Sequence, residues 1–135
     1  MKVAADTNVL VRFLTRDDPV QSGRAAAVLT EAAGLFIPIL VLCETVWVLR
    51  QSYKLPTVEI LRALRDLIDS AGVEVDHPAA EAGLRMLAAG GDFADGVILH
   101  EAQRAKADKL VTFDSGFAAR GGGFVQDLKL PPSPA

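Results

Sequence analysis

The sequence predicts an α/β protein, with a mostly parallel central sheet of four or five strands sandwiched by helices. Three observations carry that expectation. Short apolar segments (Lys2 to Ala5, Leu35 to Ile37, Val73 to Val75, Lys109 to Phe113) alternate with longer ones in which apolar residues recur at helical spacing. The 135 residues, half of them hydrophobic and 23% charged, suffice for one compact core. Two of the strand segments end in an acid, Asp6 and Asp114, and sites in parallel α/β sheets form beyond the carboxyl ends of strands.

Taken in order, Lys2 to Ala5 reads as a buried strand, Asp6-Thr7-Asn8 as a polar corner, and Val9, Leu10, Phe13 and Leu14 as the inner face of a helix. Asp, Thr and Asn are all good helix caps, so Asp6 serves equally as a cap or as part of a site. Thr15 to Pro19 ends that helix, with Asp17 and Asp18 as solvated loop acids. A second helix follows over Gln21 to Ala33, with Val28, Leu29 and Ala32 inward. Leu35 to Ile37 is a strand closed by Pro38, and the run to Tyr53 has helical length with Leu42, Val46 and Leu49 in register. Leu55-Pro56-Thr57 opens a helix with Val58, Ile60, Leu61, Leu64, Leu67 and Ile68 on its apolar side and Arg62, Arg65 and Asp66 opposite. Val73 to Val75 alternates as a short strand, and His77-Pro78 leads into a helix through Ala79, Ala82, Leu84 and Leu87. The next helix starts near Asp92 and runs to about Ala107. Lys109 to Phe113 is a buried strand, followed by a short turn carrying Phe117, a glycine bend at Gly121 to Gly123 and a last strand at Phe124-Val125. One domain is expected over 1–129, with a frayed, Pro-rich tail over 130–135.

Composition excludes several classes. A single cysteine, Cys43, allows no internal disulfide, and its apolar surroundings predict a buried thiol in a reducing compartment. The N-terminal apolar stretch before Asp6 is too short for a signal peptide, so a cytoplasmic protein is expected. The greasiest segment, Leu35 to Leu49, contains Pro38, Glu44 and Thr45 and falls short of the roughly 20 apolar residues a membrane span needs. A mean hydropathy of +0.28 is high for a small domain and points to apolar surface covered by another chain. Net charge is −3, but with five acids set aside in one cluster the remaining acids are fewer than the 14 bases, a balance compatible with nucleic acid.

The chemistry gathers at Gly91-Asp92-Phe93-Ala94-Asp95-Gly96. Two aspartates three apart share the first turn of a helix, where free N–H groups and the dipole favour negative charge. Asp92 as N-cap with Asp95 at N3 of a capping box is the structural account; a metal site is the chemical one. Glu44 interrupts an apolar run and either faces solvent or is held near a pocket by a cation. Together with Asp6 and Asp114 these make five acids, Asp6, Glu44, Asp92, Asp95 and Asp114, that would repel one another without a cation. A hard divalent ion, Mg²⁺ or Mn²⁺, takes oxygen ligands and resolves that repulsion, whereas zinc lacks its histidine or cysteine cluster here. His77 and His100 have no partners at ligand spacing. Trp47 is expected in core or interface packing.

With these residues in place the sequence resembles the PIN-domain ribonucleases, and among them the VapC-type toxins of prokaryotic toxin–antitoxin pairs. The resemblance spans nearly the whole chain. It rests on Asp6-Thr7-Asn8-Val9-Leu10, Ile37-Pro38 through Cys43-Glu44-Thr45-Val46-Trp47-Val48-Leu49, Asp92-Phe93-Ala94-Asp95-Gly96, and Thr112-Phe113-Asp114 with Phe117. It implies a single PIN-like domain in which Asp6, Glu44, Asp95 and Asp114 line a Mg²⁺ or Mn²⁺ site that hydrolyses RNA phosphodiester bonds, with Asp92 a further acid. The implied roles place Asp6 nearest the metal, with Asp95 and Asp114 sharing it directly or through waters. Glu44 orients or deprotonates the attacking water. Thr7, Asn8, Thr112 and Ser115 would position phosphate or water, with capping the stronger role for Asn8 and Ser115. The resemblance further implies a homodimer and a cognate antitoxin that blocks the acidic pocket, contacting Leu42, Trp47 and their neighbours or the helix from Val58 to Ile68. Arg12, Arg16, Arg50 and Lys54 are candidate guides for an RNA strand.

Two rivals remain at this level. A receiver-like signalling domain would share the fold class and an acidic pocket, but it wants an aspartate ending a central strand, and the middle strands here end at Pro38 and near Asp76-His77-Pro78. A non-catalytic interaction module would make the acids caps and solvated loops, and would bind no divalent ion.

Overall fold

The computed structural model describes residues 1–131, so 132–135 of the expected Pro-rich tail lie outside the described residues. The chain divides into two compact units, Met1–Ala80 and Glu81–Ala135, each described separately below.

In the first unit, β1 (Lys2–Ala4) leads into α1 (Thr7–Thr15) and α2 (Pro19–Glu31). These are followed by β2 (Gly34–Phe36), α3 (Ile39–Gln51), α4 (Thr57–Ile68) and β3 (Val73–Glu74). The three strands form one parallel ladder in the order β1-β2-β3, with Val3 opposite Leu35 and Leu35 opposite Val73. Parallel neighbours need crossover connections, and each helix pair supplies one.

Local chemistry sets the helix starts. Asp6 stays extended while its carboxylate accepts the Thr7 N–H at 2.7 Å, and Asp18 accepts the amides of Val20 and Gln21 with Pro19 at the first helical position. Each such cap is worth about 1 kcal/mol. Leu10, Ile37, Leu42, Val46, Leu49, Ile60, Leu64 and Ile68 are fully buried, each worth roughly 1.5–3 kcal/mol. Burial therefore drives the unit, and the caps decide where its helices begin.

Several expectations are corrected here. The inner face of α2 is Ser22, Ala25 and the half-buried Leu29, while Val28 is 53% exposed: small side chains face inward, and the Ser22 hydroxyl donates to the Arg12 carbonyl. Asp17 and Asp18 are structural acids. Asp18 caps α2, and Asp17 accepts from Tyr53 Oη, Thr15 Oγ1 and the Arg12 guanidinium. Cys43 is half-buried, and Val58 faces outward on α4.

In the second unit, the end of α5 (His77–Ala88) is followed by α6 (Phe93–Arg104), β4 (Leu110–Thr112) and α7 (Ser115–Arg120). A 3₁₀ turn (Gly122–Phe124), where a glycine bend was expected, then leads to β5 (Val125–Asp127). β5 pairs in parallel with β4, Leu110 opposite Val125 and Thr112 opposite Asp127. Met86, Phe117 and Val125 form a buried cluster with Leu99, Leu110, Ala118 and Phe124 against it. Gly96 lets α6 come close to α5, because a Cβ there would lie 2.3 Å from the Ala82 carbonyl oxygen. β4 is not buried as expected: Val111 is 50% and Phe113 65% exposed. Three-residue strands leave one side chain in two on each face, and the inward positions are Leu110 and Thr112.

All five strands are parallel, paired as three and two, and seven α-helices are present among the described residues. No helix among these residues is long and apolar enough to cross a membrane.

Candidate functional site

In the first unit, Asp6 and Glu44 are joined through one residue. Asp6 caps α1 with one carboxylate oxygen on the Thr7 amide, and the Thr7 hydroxyl donates to Glu44 Oε1 on α3 at 3.1 Å. Glu44 is exposed, although its neighbours Thr45 and Val46 are fully buried. The helical turn resolves the sequence puzzle of an acid in an apolar run: α3 buries Val41, Leu42, Thr45, Val46 and Leu49 and turns Glu44 outward. Thr7 thus has a definite partner, whereas Asn8, at the second helical position, leaves the capping to Asp6. Leu42 faces the core and is unavailable to a partner chain, while Trp47, expected in core or interface packing, is 56% exposed and so lies outside the core.

In the second unit, Asp92 caps α6 through the Ala94 N–H at 3.2 Å and Asp114 caps α7 through the Phe117 N–H at 3.0 Å. Asp92 reaches the second helical amide, where the capping-box expectation had it reach the third, that of Asp95 itself. Asp95 is half-buried in the first turn. Its carboxyl titrates above the ordinary carboxylate range, because burial disfavours the anion and the nearby negative charges of Asp92 and Asp114 repel it, with Arg120 opposing them. Capping and site chemistry are thus compatible, since each capping bond uses the Oδ1 of its aspartate.

Supporting contacts fix these acids. Thr112 Oγ1 accepts the Asp114 N–H at 3.0 Å, and Ser115 Oγ donates to Asp127 Oδ2 at 2.6 Å, tying the start of α7 to β5. The Ser115 bond, with a second from the Lys129 N–H, holds the Asp127 carboxyl below the ordinary range. Sequence reasoning missed Asp127 and Arg120. No local pattern marked Arg120, whose placement is tertiary: a Cβ at Gly116 would lie 3.0 Å from the Arg120 Nη1 and 3.3 Å from Asp114 Oδ1.

The donor set is entirely carboxylate oxygen, which suits a hard divalent cation, and the crowding at Asp95 is the electrostatic condition such an ion relieves. Among the described residues, no group of three or more His, Cys, Asp or Glu side chains is arranged to hold a metal ion.

Fold and acids together define an α/β protein with aspartates capping α1, α6 and α7. The chain belongs to the PIN domain family, whose pattern matches residues 3–123. PIN domains are generally metal-dependent nucleases, and PIN nucleases bind RNA. No curated protein matches the chain.

Proposed function

We propose that this protein is a Mg²⁺- or Mn²⁺-dependent endoribonuclease, the VapC-type toxin of a toxin–antitoxin pair, acting in the cytoplasm. The observation that carries this reading is Asp95, a half-buried carboxyl crowded by two further aspartates within a PIN domain. Asp6, Asp95 and Asp114 would hold the ion, with Asp92 a further ligand. Bound there, a divalent ion lowers the pKa of water and offsets charge on a phosphoryl oxygen. Glu44 takes a proton from the attacking water with the carboxylate that Thr7 orients. Thr112, through the Asp114 amide, holds that acid in place.

The same reading includes a homodimer and an antitoxin. Its support is apolar surface in the first unit: Leu40 and Trp47 are exposed on α3, and Val58 on α4. From the helix expected to serve as a contact, Val58, the half-buried Leu61 and the polar face remain available, because Ile60, Leu64, Leu67 and Ile68 are buried.

The test is cleavage of a mixed cellular RNA pool by purified, antitoxin-free protein with and without Mg²⁺ or Mn²⁺, beside Asp6→Asn and Asp95→Asn. Ion-dependent cleavage that both substitutions abolish is the expected result. Absence of cleavage together with absence of divalent binding by calorimetry would overturn it.

A further inference from the structure

A cavity of about 210 Å³ in the second unit has a composition unlike that of the acidic cluster. Arg85 from α5, His100 and Gln103 from α6, and Arg120 from the end of α7 line it over a floor that includes Met86 and Leu99. No carboxylate lines it. Among the described residues, no side-chain hydrogen bond or ion pair engages Arg85, His100 or Gln103. The backbone makes room for this arrangement: a Cβ at Gly91 would lie 3.1 Å from the Arg120 Cδ and 2.7 Å from the Met86 sulfur, so the glycine lets both side chains lie against it.

We propose that this cavity is an oxyanion site that takes a phosphate group. Two guanidinium groups, an imidazole and a carboxamide offer donors from three helices, and arginine's planar fork matches the oxygens of phosphate. The size selects the ligand class. Pockets for whole drug-sized molecules run to about 300–1,000 Å³, so a cavity of about 210 Å³ suits a ligand group of phosphate size. Arg120 links the site to the acids, since the same side chain opposes the charge of Asp92 and Asp114 at Asp95. A phosphate here would be that of an RNA strand or a free ion. The strand version rests on the ribonuclease reading; the oxyanion site itself does not.

The test titrates inorganic phosphate into the full-length protein and follows the His100 ring and Gln103 side-chain amide resonances by NMR. The comparison is with Arg85→Gln, an exposed position outside the acidic cluster. Saturable shifts in the natural protein, weakened about tenfold in Arg85→Gln, are expected. No saturable shift, or an equal response in the variant with its melting temperature unchanged, would overturn the site. Competition by short RNA then distinguishes the source. A 5′-phosphorylated strand that displaces phosphate better than its 5′-hydroxyl counterpart assigns a strand end, equal displacement assigns the backbone, and no displacement assigns the free ion. Phosphate binding with neither RNA cleavage nor divalent binding would leave this site standing while the ribonuclease reading fell.

Discussion

Asp6 and Glu44 in the first unit and Asp95 in the second are held in opposite ways. In Met1–Ala80 the pair Asp6 and Glu44 is built into the hydrogen-bonding of the helices: one caps α1 and the other accepts from the next residue of that helix, both in contact with water. In Glu81–Ala135, Asp95 is half-buried among like charges, and Arg120 works against them. The first arrangement is satisfied by the protein itself. The second leaves a charge imbalance, a local cost of the kind that clusters at functional sites. The sign for Asp95 follows from its raised titration: the protonated form suits the folded state better, so its contribution to stability is present below the ordinary carboxylate range. It is lost as pH rises through the raised value.

Asp95→Asn sharpens that contrast most. It is expected to lower cleavage about 100-fold or more, as loss of a metal-holding carboxylate should. In metal-free buffer at neutral pH it should raise the melting temperature by a few degrees, since the amide carries no charge to be repelled. Added Mg²⁺ should stabilise the natural protein through mass action and leave the variant unmoved. Calorimetric scans with and without Mg²⁺ check this. A variant that melts lower in metal-free buffer would show that Asp95 is not electrostatically frustrated.

Gly96→Ala tests what holds the second unit's acids. The added methyl would meet the Ala82 carbonyl oxygen at 2.3 Å and the Met86 Cβ at 2.7 Å, and the first of these is backbone that has no rotamer to change. The expected cost is about 1–3 kcal/mol, read as a fall in denaturant midpoint. An unchanged midpoint would mean that α5 and α6 separate freely. Cleavage should fall along with stability, because Asp95 sits one residue before the displaced contact.

Much of this was legible in the chain, and what was not has a physical cause. The strand-to-helix corner at Asp6 could be read because a polar residue must satisfy the orphan amides at a helix start, whereas Asp114, expected to lead into a short turn, caps α7. The orientation of Glu44 was not settled by its apolar neighbours alone, and required the phase of α3. Val28 was assigned inward on hydrophobicity, but helix approach in α2 is set by the small residues Ser22 and Ala25. Arg120, Asp127 and the Tyr53 contact with Asp17 depend on tertiary proximity, over separations that no local pattern encodes.

Thr7→Val probes the first unit at a smaller scale. It keeps the shape and removes the hydroxyl that orients Glu44 at 3.1 Å. Loss of one hydrogen bond costs about 0.5–1.5 kcal/mol, so a drop in cleavage of about tenfold is expected, with kcat reduced and KM little changed. Thr7→Ser, which restores the donor, should recover most of the rate. Failure of serine to rescue would assign the effect to packing and remove the hydroxyl from the site.

The smallest effect belongs to a network in the first unit that carries no proposed chemistry, and it supplies the control for the comparison. Tyr53 Oη donates to Asp17 Oδ2 at 2.6 Å while Arg12 Nη1 reaches the same acid at 3.0 Å. Tyr53 first, then Thr15 and Arg12, hold the Asp17 carboxyl below the ordinary range. The sign is therefore opposite to that of Asp95: this stabilisation is present above the ordinary carboxylate range and disappears as pH falls through the lowered value. Tyr53→Phe removes the leading bond, so the variant should melt slightly below the natural protein at neutral pH, with the gap closing in strong acid, where Asp17 is protonated in both. A gap of constant size at both extremes would mean that the phenol acts through packing alone. The neutral-pH loss here and the neutral-pH gain in Asp95→Asn, measured on one chain, separate an acid the fold satisfies from one it leaves crowded by like charges.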